Sequence, residues 1–171
     1  MPISEGFKER LFPQARKIAE HFGTPFHVYD ETGIRETGEA KTAAMAAAEL
    51  GVEIDQIAKS IIFRGARSGE AVLFITAGGN QVCTEKAAAL AGEALERAEA
   101  GLVRAQTGYA IGGVAPIAHL RQPRAWFDPR LVDFPLVWAA AGTPRHVFSL
   151  APNRLTELSG AQMSDFIQQS N

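Results

Sequence analysis

Two apolar, β-rich runs lie so close together in the sequence that they limit the folds open to this chain. The runs are SIIFRG (60–65) and AVLFITAGG (71–79), and only the turn-like stretch ARSGE separates them. A connection this short joins antiparallel neighbours, because parallel strands need a crossover of about a dozen residues or more. The pair therefore predicts a sheet that is at least partly antiparallel.

The remaining sequence mixes helical and strand-like segments without strict βαβ alternation. Apolar spacing predicts helices at 4–22, 37–51, 85–101 and 153–160. Thr37 and Gly51 are expected at the two ends of the second helix, and the third is expected to break near Gly92. Further short strands are predicted at 24–30, 102–105, 125–128, 136–142 and 146–152. We predict one α+β domain over residues 1–171, built on a mixed, largely antiparallel β-sheet flanked by helices.

The composition is that of an ordinary globular protein. Of 171 residues, 46% are hydrophobic and 21% are charged. The single cysteine, Cys83, excludes an internal disulfide and a cysteine-rich metal site. No apolar run approaches the roughly 20 residues that span a bilayer, and residues 1–23 lack a signal-peptide pattern. We therefore expect a cytoplasmic protein with no membrane partner.

Charge is unevenly distributed along the chain. The net charge is −2, but residues 58–154 hold eleven Lys/Arg against seven Asp/Glu, whereas residues 1–57 hold six against ten. The basic part fits a phosphate-bearing ligand, although a well-solvated surface gives the same pattern. A net negative charge without a basic reading helix argues against specific binding of duplex DNA.

The stretch TGYAIGGVAPIAHL (107–120) is unusual because it is apolar and yet carries paired glycines and a proline. Glycine permits unusual φ values and close approach of the backbone, which suits a loop whose peptide groups meet a ligand. A buried bulge or tight bend explains Gly112 and Gly113 equally well. The stretch alone does not separate these two interpretations.

Lys59 is the side chain outside this loop that most invites a chemical role. It directly precedes an apolar strand, where a lysine can supply a fixed positive charge to a phosphate or an oxyanion. A surface lysine with a snorkelling stem is the alternative. The four histidines show no metal-ligand spacing, and the chain has neither a phosphate-binding GxxxxGK[ST] nor a GxSxG motif.

Four segments, in order and spacing, resemble the YbaK/EbsC family over residues 24–160: AKSIIFRG, AVLFITAGGNQV, TGYAIGGVAPIAHL and WAAAGTPRHVFSLAPNRL. This family comprises free-standing relatives of the editing domain inserted in bacterial prolyl-tRNA synthetases. The resemblance implies the editing-domain fold, preceded here by a helical segment at 1–23. It also implies an aminoacyl-tRNA deacylase, which hydrolyses the ester between a wrong amino acid and the tRNA 3′ adenosine.

The resemblance also implies roles for individual residues. Lys59 matches the lysine that holds the tRNA end, and GGVAP, with Gly112, Gly113 and Pro116, matches the loop that meets the aminoacyl group. These four are the expected catalytic residues. The expected substrate-binding residues lie beside them: Ser60, Tyr109, Ile111, Val114, Ala118, His119, Gly142 and His146.

This sequence departs from the family pattern at two of these positions. Ser60 stands where some relatives have asparagine, and Ala118 stands where glycine is frequent. The family's occasional histidine has two candidate counterparts: His146, near the right segment but out of register, and His119, beside the loop. A structural role is the alternative for both.

The expected function is hydrolysis of mischarged tRNA in trans, by a positioned water and without a metal or other cofactor. The expected partners are the aminoacyl-tRNA acceptor end and, as a possible donor of substrate, an aminoacyl-tRNA synthetase. The alternative is a non-catalytic nucleic-acid-binding or regulatory module on the same fold, since fold does not guarantee function.

Overall fold

An eight-stranded mixed sheet runs through the computed structural model, which describes residues 34–37 and 42–169. The strands are β1 (Ile34–Glu36), β2 (Ile57–Gly65), β3 (Ala71–Ala77), β4 (Leu95–Arg97), β5 (Arg124–Phe127), β6 (Val137–Ala140), β7 (His146–Leu150) and β8 (Gln162–Met163). Their order is β1-β7-β6-β2-β3-β5-β8, with β4 also paired to β2. The helix and strand predicted at 4–22 and 24–30 lie outside the described residues.

The central pair is the predicted hairpin. β2 and β3 are antiparallel, with Lys59 opposite Thr76 and Arg64 opposite Ala71. Every residue of β3 is buried. The β1–β7, β2–β4 and β6–β7 pairs are also antiparallel, whereas β2–β6, β3–β5 and β5–β8 are parallel. The predicted fold class, a mixed and largely antiparallel sheet flanked by helices, is confirmed.

Helices cover both faces of the sheet. α1 (Ala43–Leu50) packs on Ile57, Trp138 and Val147, and α2 (Thr84–Ala91) packs on Phe74 and neighbouring side chains. α3 (Ala100–Thr107) and α4 (Pro152–Ser159) cover the opposite face. None of the helices in the described ranges is long and apolar enough to cross a membrane.

The segment 85–107 differs from its prediction. α2 ends at Gly92, which adopts a left-handed φ of 69°, and the chain then pairs along β2 as β4. Residues 102–105, predicted as a strand, belong to α3, because Val103 and Thr107 form a buried face at a helical spacing of four. Thr42 rather than Thr37 caps α1, since its side chain accepts a hydrogen bond from the Met45 N–H.

One edge of β2 is only partly paired. Because β3 occupies one edge from residue 58 to 64, β4 and β6 must share the other. There β6 pairs with Ile57 and Ala58, and β4 pairs with Phe63, Arg64 and Gly65. Within the described ranges, residues 59–62 therefore have no strand partner on this edge, and the sheet is split at its centre.

Glu93 anchors the hairpin turn through backbone hydrogen bonds. Its carboxylate accepts the N–H groups of Arg67 and Ser68, both at 2.9 Å, and pairs with the Arg124 guanidinium at 2.7 Å. The Ser68 N–H, with the Ser68 hydroxyl, Arg124 and the Arg67 N–H, lowers the pKa of Glu93 to about 2.

We expect Glu93→Gln to lower the free energy of unfolding at neutral pH. We also expect the variant to lose less stability than wild type when the pH is lowered. A carboxyl whose pKa falls on folding contributes stability that is present above its unfolded value and is lost as pH falls, here toward about 2. Chemical denaturation of both proteins between neutral and acidic pH measures this. Glu99→Gln is the matched control, because Glu99 makes no side-chain cap hydrogen bond. Parallel pH curves for wild type and Glu93→Gln would contradict the assignment.

Candidate functional site

A cavity of about 350 Å³ lies at the split in the sheet. Lys59, Ser60 and Ile61 of β2 all line it. Because successive strand residues point to opposite faces, the cavity surrounds the unpaired edge of β2 rather than lying on one face. Its other walls come from α1, the 112–114 loop and the segment between β6 and β7.

The structure brings five of the predicted site residues into this one cavity. They are Lys59, Ser60, Gly112, Val114 and His146. The other seven do not line it: Tyr109, Ile111, Gly113, Pro116, Ala118, His119 and Gly142. The lining set thus combines a cation, a hydroxyl, an imidazole and bare backbone, which are the groups that position a polar substrate.

The Lys59 ammonium is directed by one backbone contact. Its Nζ donates a hydrogen bond of 2.7 Å to the carbonyl oxygen of Asn80, in the turn after β3. Burial lowers the pKa of Lys59, and the carboxylates of Asp128 and Asp55 oppose that shift. Lys59 is therefore a partly desolvated cation with two nearby counter-charges.

Ser60 places an unsatisfied hydroxyl at the cavity. Its Oγ is buried and has no hydrogen-bond partner in the described part of the chain. A buried hydroxyl without a partner costs free energy, on the order of 1–3 kcal/mol. A ligand group that hydrogen-bonds to Ser60 would recover that cost.

The paired glycines serve two different purposes. Gly112 lines the cavity and has a φ of 89°, in the left-handed region that favours glycine. Gly113 is buried, and a Cβ there would lie 2.6 Å from the backbone carbon of Thr143. Gly112 thus presents backbone to the cavity, while Gly113 lets the loop pack directly on the 142–144 segment.

Tyr109 supports this loop from behind. Its hydroxyl lies within donating distance of the carbonyls of Ile117 and Ala118, at 3.0 and 3.2 Å, and burial raises its pKa. Its ring faces Gly142, where a Cβ would approach to 3.2 Å. Tyr109 and Gly142, both predicted as substrate-binding residues, lie at the contact between the two walls of the cavity.

His146 is held by a residue that the sequence reading did not single out. Its Nδ1 lies 2.6 Å from the hydroxyl of Thr143, and both residues line the cavity. Its other ring nitrogen, Nε2, has no hydrogen-bond partner among the described residues. Thr143 thereby fixes the imidazole and leaves Nε2 available to a ligand or water.

His119 lies away from the cavity and packs edge-to-face on Tyr109, with ring centroids 5.8 Å apart. Both its ring nitrogens are buried, and neither has a hydrogen bond of normal geometry to a described residue. Burial lowers its pKa, and the backbone of Ala115 opposes part of the shift.

Ile111 is 58% exposed, whereas Pro116 is buried within the loop.

Ala118 has a φ of 62°, the left-handed conformation that favours glycine. The frequent glycine of relatives at this position therefore has a conformational reason.

Three polar residues that support the site were not predicted from the sequence: Thr143, which lines the cavity, and Asn80 and Asp128, which lie behind Lys59. Asn80 lies in the AGGN stretch that carried part of the family resemblance, and Asp128 ends a predicted strand. An aspartate followed by proline reads as a local cap, and Asp128 does accept the N–H of Arg130. Only the three-dimensional contacts reveal its link to Lys59.

Within 34–37 and 42–169, no cluster of three or more His, Cys, Asp or Glu could hold a metal ion.

We expect Gly113→Ala to destabilise the protein by roughly 1–3 kcal/mol, the usual cost of overpacking. The new methyl would collide with the backbone of Thr143, so the loop or the 142–144 segment must move. Gly101→Ala in α3 is the matched control, because a Cβ there meets nothing within 4 Å. Equal melting temperatures for Gly113→Ala and wild type would contradict the close approach.

We expect stability to decrease as pH falls below about 6.5, the ordinary histidine value, through the titration of His119. Its pKa is lowered in the folded state, so its contribution is present above the unfolded value and is lost as protons bind the unfolded chain first. Chemical denaturation at pH values on either side of this value, for wild type and His119→Gln, measures the effect. An unchanged pH dependence in the variant would refute the role of His119.

Comparison with known proteins identifies the family. Residues 37–158 match the family model described as "Aminoacyl-tRNA editing domain". The uncharacterized protein YwhH of Bacillus subtilis (strain 168) is 31% identical over 144 residues, which cover 84% of this chain and 90% of YwhH.

Two solved structures share the fold. One is described as a "putative trans-editing enzyme for prolyl tRNA synthetase"; it is 38% identical, has a TM-score of 0.75, and the match covers 92% of this chain and 98% of that one. The hypothetical protein APE2540 is 24% identical with a TM-score of 0.71, over 91% of this chain and 99% of its own. The second likeness concerns the fold alone. These matches confirm the resemblance inferred from the sequence: the chain belongs to the aminoacyl-tRNA editing domain family.

Proposed function

We propose that this protein hydrolyses the ester of mischarged aminoacyl-tRNA in trans. Water oxygen attacks the ester carbonyl carbon, the bond to the ribose oxygen breaks, and that oxygen leaves with a proton. The products are a free amino acid and a tRNA with a free 3′ end. Aminoacyl esters are already activated, so positioning a water and stabilising the oxyanion provide the catalysis.

The observation that carries this proposal is the convergence of Lys59, Ser60, Gly112 and His146 on one cavity in an editing-domain chain. The cavity of about 350 Å³ falls in the range of small-ligand pockets, roughly 300–1,000 Å³. A pocket of this size suits a small group, such as the aminoacyl end of a tRNA.

Lys59 is the proposed contact to the negatively charged tRNA end. Its ammonium is anchored at the Asn80 carbonyl and partly desolvated, so its charge acts at short range with little screening. Holding the phosphodiester at this point brings the ester toward the loop that begins at Gly112.

The loop provides backbone groups on the opposite wall. Gly112 has no side chain to block the approach of an ester, and its left-handed φ turns the adjacent peptide groups away from the usual strand directions. Backbone N–H groups held in this way stabilise a developing oxyanion without reorganising. Val114 supplies an apolar surface at the same wall, which limits bulk water.

Ser60 and His146 are proposed to act on the amino acid and the attacking water. The unpartnered Ser60 hydroxyl can hydrogen-bond to the aminoacyl group. In the tautomer whose Nδ1–H donates to the Thr143 hydroxyl oxygen, His146 can accept a hydrogen bond from water at Nε2. Among the described residues, neither the Ser60 hydroxyl nor His146 Nε2 has a hydrogen-bond partner.

The proposed substrates are tRNAs for proline that carry another amino acid. The structural relative described as a trans-editing enzyme for prolyl tRNA synthetase supports this choice. A second, size-limited site is useful because a synthetase separates amino acids that differ by one methylene by only about 10–200-fold. A panel of tRNAs charged with different amino acids, scored for free amino acid, tests it; binding without hydrolysis across the panel would favour the non-catalytic module.

We expect Lys59→Ala to reduce single-turnover deacylation by at least about 100-fold, since a misplacement of about 1 Å can cost that much. Stability should change by less than about 1 kcal/mol, because the lost hydrogen bond is offset by relief of desolvation. Lys59→Arg should restore little activity, since a planar guanidinium does not replace a compact ammonium. Melting curves accompany the kinetics.

Lys86→Ala is the matched control. Lys86 pairs with Asp165 at the surface and does not line the cavity. Its loss should leave deacylation within a few-fold of wild type. A Lys59→Ala protein that deacylates at the wild-type rate would refute the proposed mechanism.

A further inference from the structure

We propose that the turn at residues 78–80, held by Asp55 and Asp128, sets both the position and the charge of the Lys59 ammonium. Asn80, Asp55 and Asp128 are then positioning residues, which act through Lys59 rather than on substrate. This proposal rests on the role of Lys59 in the proposed function.

The first link runs from Lys59 to Asp128 through Asn80. The Asn80 carbonyl accepts the Lys59 hydrogen bond, and the Asn80 side-chain amide donates to the Asp128 carboxylate at 2.9 Å. The same carboxylate oxygen accepts the Ala77 N–H at 3.0 Å. Asp128 is only 2% exposed, so this carboxylate is a fixed element of the interior.

The second link ties the other side of the turn to Asp55. The Gly79 N–H donates to Asp55 at 2.9 Å, and a Cβ at Gly79 would lie 2.6 Å from that carboxylate. Arg130 joins the two acids, because its Nε donates to Asp55 at 3.0 Å and its backbone N–H donates to Asp128 at 2.9 Å. The turn that receives Lys59 is therefore held from both sides.

Two carboxylates among the charged groups near Lys59 favour its protonated form. Asp128 and Asp55 oppose the effect of burial on the Lys59 pKa, the former more strongly. Arg130 neutralises part of Asp55 through its guanidinium, which also pairs with Asp133 at 2.9 Å. His146 lines the same cavity from β7.

Keeping this lysine protonated has a chemical purpose beside an activated ester. A neutral Lys59 amine would attack the ester carbonyl carbon, expel the ribose oxygen and pass a proton to it. The amino acid would then be left in amide linkage to Lys59, and the site would be blocked. An ammonium has no lone pair for this reaction. The two carboxylates thereby favour hydrolysis over self-acylation.

The test measures Lys59 reactivity directly. Folded wild type, Asn80→Ala and Asp128→Asn are treated with limiting acetic anhydride across neutral and alkaline pH, and acetylation of each lysine is followed by mass spectrometry. Lys86 in the same molecule is the internal reference. Asn153→Ala is the matched control, since among the described residues that side chain bonds only to the N–H of the next residue.

We expect both site variants to increase Lys59 acetylation at neutral pH by roughly threefold or more relative to Lys86, because each weakens what holds the charged form. In Asp128→Asn the alkaline limb of the deacylation profile should move to lower pH. An aminoacyl adduct on Lys59 should accumulate there with substrate. Asn80→Ala removes the side-chain hydrogen bond to Asp128 and keeps the backbone carbonyl that accepts from Lys59. The acetylation of this variant therefore decides the test if Asp128→Asn does not fold.

Unchanged Lys59 acetylation in a natively melting Asn80→Ala protein would overturn the proposal, whatever its activity. Failure of wild type to hydrolyse any charged tRNA would instead refute the proposed function. The acetylation comparison needs no tRNA and would still decide the role of the turn.

Discussion

The split along one edge of β2 is the constraint on which the site depends. β6 and β4 occupy the two ends of that edge and leave residues 59–62 without a strand partner among the described residues. A fully paired edge would have left no space at the centre of the sheet. The cavity that Lys59 and Ser60 line exists because two short strands, β4 and β6, pair with this edge where one long strand would fill it.

The hairpin, the mixed sheet and most strand positions were predictable because their signals are local. The β2–β3 pair follows from two apolar runs and a short turn, and Gly51 ends α1 with a left-handed φ as glycine does. β4 and α3 were not predictable in this way. Leu95–Arg97 is a strand only because β2 offers it an edge, and Val103 is helical because it packs on Val114.

The residues of the site likewise fall into those that local sequence predicts and those that it does not. Lys59 and Gly112 could be predicted from residue type and from the family resemblance. A lysine directly before an apolar strand and a glycine pair in an apolar stretch are both unusual and both visible in the sequence. Asn80, Asp128 and Thr143 look like turn and cap residues, and they are. Their relation to Lys59 and His146 depends on contacts between segments distant in sequence, such as the 48-residue separation of Asn80 and Asp128.

Lys59 and Ser60 are adjacent in sequence but belong to opposite faces of the sheet. Lys59 faces the side of α1, whereas Ser60 lies on the side of Ile62 and the 112–116 loop. Ser60 takes no part in the hydrogen bond from Lys59 to Asn80, so the two side chains are held independently. Under the proposed function, the group that would meet the amino acid and the group that would hold the tRNA end are therefore separable by mutation, because they lie on different faces and share no hydrogen bond.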